Sequence, residues 1–124
     1  MTPTPTEKTC ATCGRRISWR PSLAERWEEV RNCSAACRAR RLGALDRALE
    51  AAIADLLAAR ASDATVCPSE AARAVRPERW RPLMQRTRDA ARRLVAAGQL
   101  EIVQQGRVVD ASTAKGPIRL RRRR

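Results

Sequence analysis

Four of the five cysteines in the chain fall into two close pairs near its start. Cys10 and Cys13 are separated by two residues, Cys33 and Cys37 by three, and residues 14–32 lie between the pairs. Thiolates are preferred ligands of Zn²⁺, and four of them complete a tetrahedral structural site that has no open position for a catalytic water. The spacing therefore predicts one structural Zn²⁺ bound by these four residues.

Two other kinds of site use the same cysteines. A disulfide or redox pair is disfavoured if the protein resides in the cytoplasm, where thiols stay reduced and paired CxxC patterns indicate metal. An iron–sulfur cluster is disfavoured because zinc suits this ligand set and no additional cysteines or cofactor motif point to electron transfer. Both remain as alternatives to zinc.

The segments around the pairs must bring the four thiols together. Cys10 to Gly14 is expected to form a knuckle, in which the glycine allows a tight turn. Short strands are predicted over 17–20 and 30–32, and Ser34 is placed to cap a helix whose first turn carries Cys37. Knuckle, hairpin and ligand-bearing helix together predict a treble-clef-like zinc finger with four cysteine ligands over 9–42.

Trp19, Trp27 and Trp80 are the only aromatic residues, since Phe and Tyr are absent. A stacking platform for single-stranded nucleic acid usually needs several exposed rings and is therefore disfavoured. We interpret Trp19 and Trp27 as apolar packing around the metal, with base stacking as the alternative.

The rest of the chain shows helical spacing followed by strand alternation. Leu45, Leu49, Ile53, Leu56 and Leu57 recur on one face of a helix, which begins a second, metal-free core. The whole pattern predicts a mainly α fold with small β content, in which 43–119 form a winged helix-turn-helix. The predicted elements are a helix over 44–60, a short strand over 64–66, a helix over 68–75, a helix from 78–81 to 97, and strands over 100–104 and 107–110.

The third of these helices separates an apolar face from a face that carries Arg86, Arg88, Arg92 and Arg93. In a winged helix-turn-helix this helix is offered to the major groove and the hairpin forms the wing. Arginine can donate two hydrogen bonds to one guanine base or pair with a phosphate, so these four residues are predicted to face nucleic acid. The alternative is an ordinary mixed-charge solvent face.

Lys and Arg number 26 against 13 Asp and Glu, a formal charge of +13, which indicates a polyanionic partner. A genome bias toward arginine is an alternative source of part of this excess. Residues 120–124 are predicted to be a flexible basic tail that adds affinity without sequence information, or else an incidental solubilising tail. In the hairpin, in the tail and just before the tail, the arginines predicted to hold phosphates are Arg107, Arg119, Arg121, Arg122, Arg123 and Arg124.

An enzyme is not expected, because the chain contains no histidine, phosphate-binding glycine loop or nucleophile elbow. The acidic residues mostly fit surface pairs such as Asp89 with Arg93. Cys67 lies just before Pro68 and is interpreted as a small buried residue, with an oxidant-sensing thiol as the alternative.

Residues 1–8 are rich in Thr and Pro and are predicted to be disordered. No apolar signal-peptide region and no run of roughly 20 apolar residues is present. We therefore expect a cytoplasmic protein, nucleoid-associated if it binds DNA, with no membrane or small-molecule substrate as partner.

Residues in both halves resemble known bacterial families. The N-terminal residues that carry a resemblance are Cys10, Cys13, Gly14, Trp19, Arg20, Trp27, Val30, Cys33, Ser34, Cys37 and Arg38. Those of the second part are Leu56, Leu57, Thr65, Pro68, Ser69, Glu70, Ala74, Trp80, Arg81, Leu83, Met84, Arg88, Ala90, Ala91, Gly98, Gln104, Gly106, Val109, Asp110, Gly116, Pro117, Ile118 and Arg119. Through these residues the N-terminal part resembles domain of unknown function 2256, and residues from about 45 to 119 resemble domain of unknown function 3253. The resemblance implies a zinc finger fused to a winged helix and implies no activity.

These observations lead to one functional expectation with two alternatives. We expect a non-enzymatic protein that binds double-stranded DNA through the winged helix and is braced by the zinc finger. The alternatives are binding to rRNA or another structured RNA, and an adaptor that binds an acidic protein.

Overall fold

The computed structural model describes residues 6–123. The N-terminal part, called the finger below, begins with strands β1 (Glu7–Thr9) and β2 (Arg16–Ser18), which pair antiparallel with Lys8 opposite Ile17. A 3-10 segment (Pro21–Glu29) and the short helix α1 (Ala35–Ala39) follow.

The finger hairpin differs from the predicted one. The predicted strand over 30–32 is absent, and its place beside β2 is taken by β1. The prediction of disorder is therefore wrong for residues 7 and 8, while residues 1–5 lie outside the described residues. The Lys8 ammonium explains the difference, because it donates to the carbonyl of Trp27 and lies 4.8 Å from the centre of its ring, which holds β1 against the 3-10 segment.

The second part, called the helical module below, contains helices α2 (Ala44–Ala58), α3 (Pro68–Val75) and α4 (Met84–Ala96). A 3-10 turn (Arg81–Leu83) leads into α4. The predicted start of α3 is confirmed: Pro68 is its first residue, and the Glu70 carboxylate accepts the Cys67 backbone N–H at 2.8 Å. These three helices pack on one another through their apolar faces.

A four-stranded antiparallel sheet completes the helical module. After Gly98, which has a φ of +78°, come β4 (Leu100–Gln104) and β5 (Arg107–Val109), joined by a tight turn with positive φ at Gln105 and Gly106. The strand order is β3-β6-β4-β5, where β3 is Thr65–Val66 and β6 is Arg119–Arg122.

Strand β6 contradicts the prediction of a flexible basic tail. Leu120 is fully buried and lies opposite both Ile102 on β4 and Val66 on β3, so residues 119–122 form an inner strand. One apolar side chain between arginines is enough to place this strand, because its backbone hydrogen-bonds to a neighbour on each side. Arg124 lies outside the described residues.

The fold is thus mainly helical with a small sheet and an N-terminal cysteine cluster, as predicted at that level. Within residues 6–123, every helix is too short or too polar to reach across a lipid bilayer.

Candidate functional site

The four predicted ligand cysteines form one cluster. Their Sγ atoms all lie within 4.8 Å of one another, with 3.6 Å between Cys13 and Cys33 and 3.7 Å between Cys33 and Cys37. A tetrahedron with Zn–S bonds of about 2.3 Å has edges of about 3.8 Å. All four are free thiols. The cluster therefore fits a single metal ion.

Backbone hydrogen bonds hold the first pair of ligands in a closed knuckle. The Gly14 N–H donates to the carbonyl of Cys10 at 3.0 Å, and the Cys10 N–H donates to that of Arg15 at 2.8 Å. The Ala11 N–H donates to the carbonyl of Arg31 at 2.8 Å, which brings the second pair of ligands alongside the first.

The second pair is fixed by the start of α1. The Ser34 hydroxyl accepts the Cys37 backbone N–H at 3.1 Å, which confirms the predicted cap. The Thr12 hydroxyl donates to the carbonyl of Cys37 at 3.0 Å and accepts from the Asn32 amide at 3.0 Å. Thr12 therefore links the two pairs directly.

The electrostatics of the cluster favour a bound cation. Burial alone would raise the pKa of Cys10, but backbone N–H groups of Cys13, Cys33 and Thr12 lower it to about 6. Burial raises the pKa of Cys13 to about 12, and the neighbouring thiols of Cys33 and Cys10 add to the rise. One thiolate thus hinders ionisation of the next, so four thiolates together require a positive charge between them.

The finger docks on α4 through arginines that were predicted to face nucleic acid. Arg92 Nε donates to the carbonyl of Cys13 at 2.7 Å, and an Arg93 Nη donates to that of Thr12 at 2.7 Å. A Cβ on Gly14 would lie 2.5 Å from the Arg92 Cβ, so the two backbones are in direct contact. We call this contact the seam.

The seam contradicts the predicted role of Arg92 and Arg93. Arg92 is only 3% exposed, and the Arg93 side chain is 9% exposed with Glu50 as its carboxylate partner. Asp89 pairs with Arg92 and Arg40 in place of the predicted Arg93. The polar face of α4 is covered because the finger offers it backbone carbonyls that accept from guanidinium groups.

Two buried carboxylates complete the seam. Asp89 and Asp46 both bind Arg40, at 2.7 and 3.1 Å, so the residue that follows α1 is tied to α4 and α2. Burial alone would raise the pKa of Asp46, but the Gly43 N–H, Arg86 and Arg40 hold it below its usual value. Sequence patterns did not identify this pair, because its partners lie on three different elements.

The remaining predicted phosphate contacts are scattered over several elements. Arg86 and Arg88 on α4 are half-buried, and an Arg88 Nη donates to the carbonyl of Gly116 at 3.1 Å. Arg107 and Arg123 are exposed. The other three are engaged within the sheet or at its edge: Arg119 with the Thr65 hydroxyl, Arg121 with the Glu101 carboxylate, and Arg122 with the carbonyl of Arg60.

A basic surface that was not predicted lies between α3 and α4. Arg73, Arg76, Arg79 and Arg81 are all exposed, and no carboxylate of the described residues forms an ion pair with them. The guanidinium carbons of Arg73 and Arg81 lie 4.4 and 4.8 Å from the centre of the Trp80 ring. We call these five residues the arginine–tryptophan surface. Its signal was visible as four arginines within residues 73–81.

Trp19, Trp27 and Cys67 also have defined positions. Trp27 is buried in the finger core, as predicted, whereas Trp19 is 45% exposed and does not pack there. Cys67 is half-buried outside the cysteine cluster, and its sulfur accepts from the Ser69 hydroxyl at 3.1 Å.

Family comparisons divide the chain at the same place as the fold. Residues 46–123 match the family described as a protein of unknown function, DUF3253, and residues 3–40 match the family described as an uncharacterized protein conserved in bacteria, DUF2256. The order confirms the predicted resemblance. No curated protein matches the sequence. With well over half of its length matched, the chain belongs to the DUF3253 family and carries a DUF2256-like segment ahead of it.

Proposed function

We propose that this is a non-enzymatic protein that binds double-stranded DNA, with a structural zinc ion in the finger and a winged helix-turn-helix in the helical module. Three helices, a short strand and the β4–β5 hairpin support the winged-helix assignment. Only families of unknown function match the chain, so the proposal depends on the charges and geometry of its own side chains.

Zinc is the proposed metal because all four proposed ligands are cysteine sulfurs in a compact cluster. Cys10, Cys13, Cys33 and Cys37 would hold it and complete its coordination, which leaves it no position for substrate. When bound, the ion supplies the positive charge that allows all four thiols to ionise.

The arginine–tryptophan surface carries the proposal for DNA. Among residues 6–123 eight arginines form ion pairs, yet Arg73, Arg76, Arg79 and Arg81 form none. Contact with the Trp80 ring orients two of these guanidinium groups without neutralising them. Four uncompensated guanidinium groups are suited to the phosphates of a nucleic-acid backbone.

The proposed use of α4 follows from the seam. Because Arg92 and Arg93 are occupied by the finger, base readout by the second half of α4 is not proposed. Arg88 in its first half and the four arginines of the arginine–tryptophan surface supply about five phosphate contacts, which fix position on the duplex without reading its sequence, whereas Arg86 is already paired with Asp46.

Salt titration of binding to a short duplex DNA tests the proposal. About five phosphate contacts in the helical module predict that this module contributes about −4.5 to the slope of the logarithm of the binding constant against the logarithm of salt concentration. Arg79→Gln should reduce the size of this slope by about one and weaken binding to all sequences alike. Arg47→Gln is the matched control, since Arg47 is exposed but already paired with Glu50.

Several outcomes would overturn the proposal. No binding to duplex DNA at about 50 mM salt would do so. Tighter binding to a structured RNA than to the duplex at equal salt would replace DNA with RNA as the partner. A change in sequence preference in Arg79→Gln would show that this surface reads bases, contrary to the backbone contacts proposed.

A further inference from the structure

The finger contains a groove of about 600 Å³, a volume within the range of ligand clefts. Arg20, Arg26, Arg31 and Arg38 line it, together with a single carboxylate, Glu29. Cys33, the most exposed of the four clustered cysteines, lies at the same groove. The groove therefore combines a concave shape with an excess of positive charge.

The groove arginines differ from Arg16 and Arg40, two ion-paired arginines of the finger. Arg16 reaches Asp110 at 2.7 Å, and Arg40 reaches Asp89 and Asp46, so these two hold the finger on the helical module. None of the four groove arginines forms an ion pair among the described residues, although Glu25, Glu28 and Glu29 lie in the same segment.

Two of the groove guanidinium groups are positioned by uncharged acceptors, one a hydroxyl and the other a backbone carbonyl. Arg20 Nε donates to the Ser22 hydroxyl at 3.1 Å, and an Arg31 Nη donates to the carbonyl of Glu28 at 2.7 Å. These bonds restrict the two side chains, which lowers the entropy cost of binding an anion. They leave the positive charge uncompensated, so it remains available to attract the anion.

The geometry points to the groove as a second phosphate-binding site, one that takes the phosphodiester backbone of the same nucleic acid. This inference rests on the proposed function and assigns the finger a direct contact in addition to its bracing role. Arginine fits the task because its planar fork can donate two parallel hydrogen bonds to one phosphate.

The metal cluster does not reverse this assignment. A zinc tetrathiolate carries two negative charges, but among its four ligands only Cys33 lines the groove. Four guanidinium groups against one carboxylate and a share of the cluster leave the groove positive. Even when both negative charges of the cluster are counted in full, the four guanidinium groups and the one carboxylate leave the groove with a positive charge of one.

The test compares single replacements in the full chain with metal bound. Because the groove adds phosphate contacts, the wild-type slope for duplex DNA should be steeper than the value of about −4.5 expected from the helical module alone. Arg26→Gln and Arg38→Gln should each reduce the size of this slope by about one, and the double variant by about two. Arg26→Lys with Arg38→Lys keeps the charge and should retain most of the slope. Arg47→Gln again serves as the control, and metal content, measured on every variant, should stay at one ion per chain.

A second measurement locates the contact. Addition of duplex DNA to ¹⁵N-labelled protein should shift the amide signals of residues 20–38, and the shifts should be lost in the Arg26→Gln and Arg38→Gln double variant.

The outcomes separate this inference from the proposed function. If Arg79→Gln lowers the slope and the groove variants leave it unchanged, the groove assignment is wrong and the DNA proposal stands. If the wild-type protein does not bind duplex DNA, both are wrong. If the lysine variant loses as much of the slope as the glutamine variant, the effect is not one of charge, and the groove assignment is again overturned.

Discussion

The finger and the helical module are held together by different means. The finger buries only three apolar side chains besides its cysteines, Ile17, Leu23 and Trp27. The helical module buries fourteen residues in one continuous cluster that draws on α2, α3, α4 and the sheet. A unit of about 35 residues cannot bury enough apolar surface to fold alone, so we propose that metal ligation at the cysteine cluster takes over that role in the finger.

The seam between the finger and the helical module is stabilised by neither metal ligation nor apolar packing, but by polar contacts. It consists of guanidinium groups that donate to backbone carbonyls and buried carboxylates, with Gly14 set directly against the Arg92 backbone. A polar helix face can therefore serve as an internal contact when its neighbour supplies enough acceptors. The difference between the two regions predicts how each responds to perturbation.

Removal of the metal should have the largest effect, and only on the finger. A chelator should abolish the amide-exchange protection of β1 and β2, because structural zinc contributes about 10–16 kcal/mol of apparent binding free energy. Protection in α2 and β4 should persist, since their core contains no ligand. Cys67→Ser should keep the full metal content, as Cys67 lies outside the cluster. If β1 and β2 stayed protected from exchange after the metal was removed, the finger would not depend on metal for its fold, contrary to the contrast drawn with the helical module.

A core truncation should act on the helical module instead. Ile53 is fully buried on α2, and Ile53→Ala should cost about 2–5 kcal/mol in the free energy of unfolding, measured by denaturant titration with metal present. Val108→Ala is the control, since Val108 is 55% exposed and its replacement should change stability by no more than about 0.5 kcal/mol. A similar cost at both positions would show that the apolar cluster is not what holds this module.

The seam can be probed with two glycines of nearly equal φ. Gly14 has a φ of +78° and meets the Arg92 backbone, whereas Gly106 has a φ of +77° and nothing within 4 Å. Gly106→Ala should cost about 1 kcal/mol through backbone strain alone, and Gly14→Ala about 1–3 kcal/mol more, because its Cβ forces the finger away from α4. Denaturant titration of both variants measures the difference in the free energy of unfolding. Equal losses in the two variants would show that the close contact between Gly14 and Arg92 does not contribute to stability.

The smallest expected effect is electrostatic and lies at the start of α3. The pKa of Glu70 is lowered from 4.5 to about 2, chiefly by the Arg60 guanidinium at 2.5 Å, with burial opposing and the Cys67 N–H adding to the lowering. A depressed folded-state pKa stabilises the fold above the unfolded value of about 4.5, and this contribution disappears as the pH falls toward 2. Solvent screens the pair, since both side chains are about one-third exposed.

Glu70→Gln measures that contribution. The variant should be less stable than the wild type at a pH of about 6, and the difference should shrink steadily toward a pH of about 2. Amide exchange within α3 reports it without interference from acid release of the metal. If the stability difference between the wild type and Glu70→Gln grew on acidification, the lowered folded-state pKa of Glu70 would be contradicted.

Local signals were sufficient wherever a few neighbouring residues decide the structure. Cysteine spacing identified the four cysteines of the cluster, and Ser34 identified the start of α1. These features depend on the spacing within each cysteine pair and on helix capping, both of which involve less than about ten residues. Strand β6 was missed because its arginines suggested solvent, although Leu120 supplies the buried side chain that anchors it.

The sequence by itself determined that four thiols form one site, that three helices and a hairpin follow, and that the chain carries an excess of arginine. The tertiary structure alone decided which arginines remain free. Periodicity shows which face of α4 is polar but not what covers it, and the partner of Arg92 is a carbonyl 79 residues away in the chain. Arginines near Trp80 stayed open while Arg92 and Arg93 were covered, because only the folded finger brings acceptors to α4.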